Sequence, residues 1–400
     1  MGRYQPNPST IDWPLFPRKE ARMMQGALDG IKVLDFSTLL PGPMAGLFLT
    51  DAGAEVIKIE RPGAGEEMRS YVPKWGVDSV NFNMLNRGKR SIALDLKDPA
   101  SLDVLIPLIK KTDVIIEQFR PGVMARLGLG YDDICQIKPD IIYCSISGYG
   151  QSGPKALRAG HDLNYIGDAG LLSLSHGSTD HPVLPPALIA DIAGGTYPAL
   201  FNILLALRAR DAGKGGAHLD ISMAENLFPF LYWAMGDGQA ADRWAGNGDA
   251  LVTGGSPRYQ LYATADDRIL AAAPLEEKFW DIFCEAINLP DALRNDVADP
   301  EATRQGIVAI IAGQPAAHWA AVFETADCCC SIVKTMKEAM DDPHFCARGV
   351  FDRQLSNEEG AIITALPTPI ARNLVANTQD TQTAPRLGAD NQDFSASQQD

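Results

Sequence analysis

Short apolar runs alternate with longer helical stretches through the first half of the chain. Residues 31–36, 55–59, 91–96, 113–117, 141–146 and 218–223 read as strands. Residues 44–52, 100–111 and 197–210 carry helical patterning, and a further helix is predicted after 223, to about 241. Gly42 and Pro43 break the first strand, Gly53 closes the first helix, and Gly213 and Gly215 close 197–210. Strands that alternate with helices need right-handed crossovers, and hence a parallel sheet. The predicted fold class is α/β, wound on both faces of that sheet.

The pattern changes after 241. Residues 246–256 are rich in Gly, Asn and Asp and read as a flexible loop. Residues 259–264 and 268–273 flank Asp266-Asp267 as an antiparallel hairpin, and helices are predicted from 278 to about 332. This segment is expected to form a smaller α+β domain. The expected division is an arm over 1–27, a large α/β domain over 28–225, a small domain with linkers over 226–335, and a return to the large domain with a polar tail over 336–400. The tail after Val375 is expected to be disordered in part.

Composition narrows the function classes. The 400 residues carry a net charge of −15. A nucleic-acid or anionic-membrane surface needs clustered Lys and Arg, so neither partner is expected. One phosphorylated ligand remains open, because a few local cations suffice for it. The first residues lack an apolar core of signal-peptide type, and no run of about 18 apolar residues appears, so a cytoplasmic protein without a membrane span is expected. The seven cysteines form no Cys-x-x-Cys pair, which fits reduced thiols. The run Cys328-Cys329-Cys330 reads as packing, and no metal is expected, since no His or paired Cys spacing accompanies it.

Three places can carry chemistry. Gly160-His161-Asp162-Leu-Asn164-Tyr165 sets an imidazole beside a carboxylate, a pair that exchanges protons near neutral pH. The plainer alternative is a His satisfied by backbone. Ile189-Ala-Asp191-Ile-Ala-Gly194-Gly195 sets a carboxylate before small residues and a helix. The glycines admit a ligand close to the backbone and a helix start favours an anion, although a simple helix cap has the same pattern. A carboxylate there can be a nucleophile or a base. Leu275-Glu276-Glu277-Lys278 ends an apolar run and opens a helix, where acids also serve as caps. Lys58, Arg61, Arg87, Lys89, Arg90, Lys97, Arg120 and Arg126 fall at or near strand ends, where an open parallel sheet binds ligands. Solvated surface cations are the alternative. Neither the Gly-x-Gly-x-x-Gly nor the P-loop pattern occurs, so the usual dinucleotide and nucleotide sites are not supported.

Several segments occur in a distinctive order: Gly30-Ile-Lys-Val-Leu-Asp35, Leu40-Pro-Gly-Pro43, Gly53-Ala-Glu-Val-Ile-Lys-Ile-Glu60-Arg61-Pro62, Asn86-Arg-Gly-Lys-Arg90 with Leu94-Asp-Leu-Lys97, Glu117-Gln-Phe-Arg-Pro-Gly122, Gly128-Leu-Gly130, Ser147-Gly-Tyr-Gly-Gln-Ser-Gly-Pro154, the His161 segment, Ala190-Asp191 and Gly213-Lys-Gly215. Over about 28–350 this set resembles the class III CoA-transferase superfamily, also called CaiB/BaiF, which includes formyl-CoA transferase, carnitine CoA-transferase and the 2-methylacyl-CoA racemases. The resemblance implies an interlocked homodimer, with a Rossmann-like large domain built from both chain ends and a smaller domain from the later middle. It implies coenzyme A and acyl-CoA as substrates, with no tightly bound cofactor, and a small carboxylic acid as the other partner.

The resemblance also assigns residues. Asp191 matches the carboxylate that in the transferases attacks the thioester, giving a mixed anhydride and then an aspartyl-CoA thioester. In the racemases the matching Asp works with a His as an acid/base pair at the α carbon. Here these would be Asp191 and His161, with Asp162 beside them and Glu276 supporting His161. Coenzyme A is expected on Arg61, Arg87, Lys89, Leu96, Lys97, Arg120 and Tyr165. The chain departs from the racemase pattern at Leu251-Val-Thr-Gly-Gly-Ser-Pro-Arg258-Tyr259, at Glu277-Lys278 and at Ser331-Ile332. Arg258, with Tyr259, is expected to meet a carboxylate substrate. On that ground CoA transfer is preferred over racemisation, with a non-catalytic CoA-binding protein as a remote alternative.

Overall fold

The structure, a computed structural model, describes residues 26–376 and 381–394, and nearly all of the predicted arm lies outside them. All six predicted strands of the first half form: β1 (Lys32–Asp35), β2 (Glu55–Glu60), β3 (Arg90–Ala93), β4 (Val114–Glu117), β5 (Ile142–Ser147) and β6 (Ala217–Ser222). They make one parallel sheet in the order β3-β2-β1-β4-β5-β6. Every residue of β4 and β5 is buried, as a sheet covered on both faces requires.

The helices that cover it are α1 (Pro41–Asp51), α2 (Val80–Asn86), α3 (Ser101–Lys110), α4 (Val123–Arg126), α5 (Tyr131–Ile137), α6 (Asp162–Asp168) and α7 (Tyr197–Asp211). One face, with Val33, Val114, Ile116 and Cys144, packs on residues of α1 and α7. The other, with Leu34, Ile57, Ile115 and Tyr143, packs on α3, α4 and α5. The order reverses between β1 and β4, and the crevice beyond their carboxyl ends is where such sheets bind ligands.

One expectation is corrected here. β3 stops at Ala93, because Asp95 and Asp98 accept the N–H groups of Lys97 and Ala100 and turn the chain away, so Lys97 lies in a turn and not at a strand end. In the polar tail, Asp390 and Asn391 bond the free backbone groups of Ser91 and Ala93, while residues 377–380 and 395–400, to which the expectation of partial disorder extends, lie outside the described residues. Covering the edge strand gives these polar residues a fixed place.

Helical structure is continuous over Ala190–Asp211 and has the length and apolar composition of a membrane span. It instead packs Ala199, Ile203, Ala206 and Leu207 against the sheet. After α8 (Tyr232–Ala241), β7 (Gln260–Ala263) and β8 (Ile269–Ala272) form the predicted hairpin. α9 (Glu277–Ala286), α10 (Pro300–Ile311) and α11 (Ala316–Thr325) share a core with it around Trp280, Phe283, Ile307 and Trp319. The predicted helical run does not last to 332: β9 (Cys330–Ile332) adds to β8 as a third antiparallel strand. Cys328 enters the core, and Cys330 and Ile332 pack against it with strand alternation.

Candidate functional site

Asp191 stands in a π-helical turn, Ala190–Thr196, that runs directly into α7. The glycines explain the widened turn. A Cβ on Gly194 would lie 2.3 Å from the carbonyl oxygen of Met223, just past β6. Asn226 donates to the carbonyl of Gly194 at 2.9 Å, and the Thr196 hydroxyl donates to that of Pro41 at 2.9 Å. The turn is thus wedged between α1 and the end of β6, and insertions of this kind often mark functional sites.

Across from it, His161 caps the start of α6 with extended backbone, and its N–H donates to Asn164 Oδ1 at 3.0 Å. Asp162, the first residue of α6, is buried, and its Oδ1 accepts the Asp191 N–H at 3.0 Å. Tyr165 packs against Gly148 and Gly160, where an added Cβ would come within 2.4 and 2.8 Å of its ring. This accounts for glycine at both motif positions. Its hydroxyl donates to the carbonyl of Gly160.

The electrostatics tie these groups together. Burial pushes the Asp191 carboxyl up to about 6, the charge of Asp162 adds to the rise, and His161 opposes it. Burial also raises the Tyr165 phenol, with Asp191 and Asp162 adding to the rise and Arg120 opposing it. His161, Asp162, Tyr165, Asp191 and the exposed Arg120 therefore occupy one neighbourhood. A half-buried carboxyl that titrates near 6, beside an imidazole, can give or take a proton near neutral pH.

On the other face, the carboxyl ends of β1 to β4 enclose a crevice of about 500 Å³. Phe36, Ile59, Leu96, Phe119 and Leu127 line it, with Arg61, Lys97 and Arg126 among them. Three of the expected coenzyme A contacts, Arg61, Leu96 and Lys97, thus come together. Arg126, one of the strand-end cations read from sequence but not among the expected coenzyme A contacts, joins them, and the two Phe walls were not singled out. The signal for the Phe walls is weak, since only the strand order brings 36 and 119 to one place. A larger cavity, about 900 Å³, lies between 63–83 and 356–387 and includes neither Asp191 nor His161. Among the described residues no cluster of three His, Cys, Asp or Glu has a metal-holding arrangement.

Three expected ligand contacts are committed elsewhere. Arg87 is fully buried and forks onto Asp51 at 2.6 and 2.7 Å. Lys89 spends its three ammonium donors on Asp35, Pro43 O and Asn86, each at 2.9 Å. Both precede β3 and point into the protein, not into the crevice. Arg258 forks onto Asp296 at 2.9 and 2.8 Å, meets Glu277 at 2.8 Å and lies over the Trp280 ring. Two carboxylates already neutralise it, which removes the reason to place a substrate acid there. Tyr259 is half-exposed beside it, and its N–H donates to the Ser256 carbonyl. Glu276 caps α9, is exposed, and acts electrostatically on Cys329.

The family model for CoA-transferase family III matches residues 28–391. Alpha-methylacyl-CoA racemase of Homo sapiens is 34% identical over 357 residues, covering 88% of this chain and 88% of that protein. Acetyl-CoA:oxalate CoA-transferase of Acetobacter aceti is 32% identical over 344 residues, 82% of this chain and 85% of that protein. The crystal structure of a CAIB/BAIF family protein from Brucella suis superposes with a TM-score of 0.79 at 26% identity, over 94% of this chain and 100% of that one.

Proposed function

The chain belongs to CoA-transferase family III, and from that premise we propose that it exchanges the α-proton of an acyl-CoA, as a racemase does, with Asp191 and His161 as its acid/base pair. The observation that carries this is the raised carboxyl of Asp191 in the same electrostatic neighbourhood as His161. Ionised Asp191 takes the α-proton, the C–H electrons pass to the thioester oxygen as an enolate, and protonated His161 returns a proton to the opposite face. Asp191 is then protonated and His161 neutral, so the pair is set for the reverse stereochemistry. Acidity at the α carbon comes from the thioester, and the protein supplies position and proton transfer. Coenzyme A would lie in the crevice with Arg61, Lys97 and Arg126, and the acyl end would reach Asp191 past Arg120 and Tyr165.

The commitment of Arg258 to Asp296 and Glu277 removes the ground for preferring transfer. Transfer through an aspartyl-CoA thioester on Asp191 remains as a second reading. Arg120 favours it, because an exposed cation near Tyr165 and Asp191 suits a second carboxylate. A homodimer is also proposed: Tyr197, Phe201, Leu204 and Leu205 on α7, with Phe228 and Tyr232, are exposed large apolar side chains that a second copy would cover. Glu276 would support His161 from such a copy.

The two readings separate in deuterium oxide. An α-methylacyl-CoA without any acceptor acid should take up α-deuterium, and His161→Ala should abolish the uptake. Absent uptake, together with an Asp191-bound CoA adduct seen by mass spectrometry once an acid is added, would reverse the choice.

A further inference from the structure

A second buried carboxylate lies at the switch point, on the face of the sheet opposite Asp191. Glu117 ends β4, is 4% exposed, and by strand alternation faces the same side as Ile115. Its Oε2 accepts the N–H of Phe119 at 2.8 Å. Ser145, its register partner on β5, stands beside the carboxyl and pulls its pKa down. Behind Ser145, Oγ lies 3.1 Å from Nε2 of His218 on β6, and that imidazole stacks on Tyr131 of α5 with centroids 4.9 Å apart. With the proton on Nε2, His218 donates to Ser145, which leaves the hydroxyl proton to face Glu117 beside it. The other titratable groups facing this line are Asp220 of β6, Tyr143 of β5, and Asp132 and Asp133 of α5. Among the described residues no cation forms an ion pair with Glu117, so its burial is uncompensated by charge.

What Glu117 holds is the turn that touches both parts of the site. Phe119 lines the crevice, and Arg120 acts on Tyr165. Gln118 anchors the same turn by accepting the N–H of Gly42 at 3.1 Å. Gly122 closes it in the left-handed region at φ 81°.

We infer that Glu117 is a positioning residue for the coenzyme A ligand: by holding the N–H of Phe119 it fixes the wall of the crevice, and its charge state sets how firmly that wall is held. This rests on coenzyme A occupying the crevice. Burial pushes the carboxyl up to about 7, Ser145 and the Phe119 N–H pull it down, and Asp220 adds to the rise. Above that pH the carboxylate accepts charge-assisted bonds, which are roughly twice as strong as neutral ones. Below it the acid is neutral and the wall loosens.

Affinity for coenzyme A should therefore fall about three- to tenfold between about pH 8 and pH 6. Calorimetric titration of coenzyme A tests this on the wild type, Glu117→Gln and Ser145→Ala. Phosphate ionisation of the ligand contributes equally to all three. Glu117→Gln keeps an acceptor for Phe119 but cannot titrate, so only the ligand's own pH response should remain. Ser145→Ala loses the hydroxyl that lowers the Glu117 pKa, so the midpoint should move to higher pH. A wild-type pH response in Glu117→Gln, or an unmoved midpoint in Ser145→Ala, overturns the inference alone. Failure of the wild type to bind coenzyme A at any pH overturns the ligand assignment with it.

Discussion

The backbone N–H of Asp191 donates to Oδ1 of Asp162 at 3.0 Å, across 29 residues of sequence. This bond fixes the first residue of α6 against the π-helical turn and sets two carboxylates side by side. The charge of Asp162 then helps to raise Asp191. Removing that charge in Asp162→Asn should lower the Asp191 pKa. If ionised Asp191 is the base, the acidic limb of kcat/KM should move to lower pH. An unmoved limb in the pH–rate profile would sink this coupling.

Asp191→Asn should trade activity for stability. The folded carboxyl is raised from 3.8 to about 6, so its ionisation opposes folding. The penalty is absent below the unfolded pKa, grows as pH rises, and is complete above the folded value. At pH 8 the amide should stabilise the fold by on the order of 1–3 kcal/mol while turnover is lost. Denaturant unfolding at pH 4 and 8 checks it, since the gain should be confined to the higher pH.

The basic residues should divide into two classes. Arg61→Ala and Arg126→Ala are expected to weaken coenzyme A binding about ten- to a hundredfold with little loss of stability. Arg87→Ala removes the forked partner of buried Asp51, which keeps Arg353 and Thr368, and should cost about 1.5–3 kcal/mol of stability. Calorimetric titration and thermal unfolding on the same three proteins separate the outcomes.

Arg258→Gln is expected to act on folding and not on substrate. It breaks the fork to Asp296 and the contact with the Trp280 ring, at a cost of about 3 kcal/mol. KM for any carboxylic acid should change little. A large KM increase with unchanged stability would return Arg258 to the substrate site.

Residues 388–394 should protect the edge of the main sheet. Asp390 and Asn391 satisfy Ser91 and Ala93, and Arg90 joins Asp390 and the Phe394 ring. Truncation after residue 387 is expected to uncover the free edge of β3 and to promote association. Light scattering against the full chain tests this.

The sequence by itself determined the main sheet, because runs such as Val114-Ile-Ile-Glu117 must be buried on both faces and the glycines between runs fix the breaks. It also marked His161, Asp162 and Asp191, since short segments with unusual neighbours are visible along the chain. The ends of β3 and the strand β9 were not legible, as capping by Asp95 and Asp98 and pairing with β8 override the apolar pattern. Only the tertiary structure decided which cations are free. Arg87 meets Asp51 across 36 positions, Lys89 meets Asp35 across 54, and Arg258 meets Asp296 across 38. Spacing along a chain reports the element a charge belongs to, whereas its counter-ion is set by the packing of distant elements. A cation with its hydrogen bonds already spent inside the fold has little left to offer a ligand.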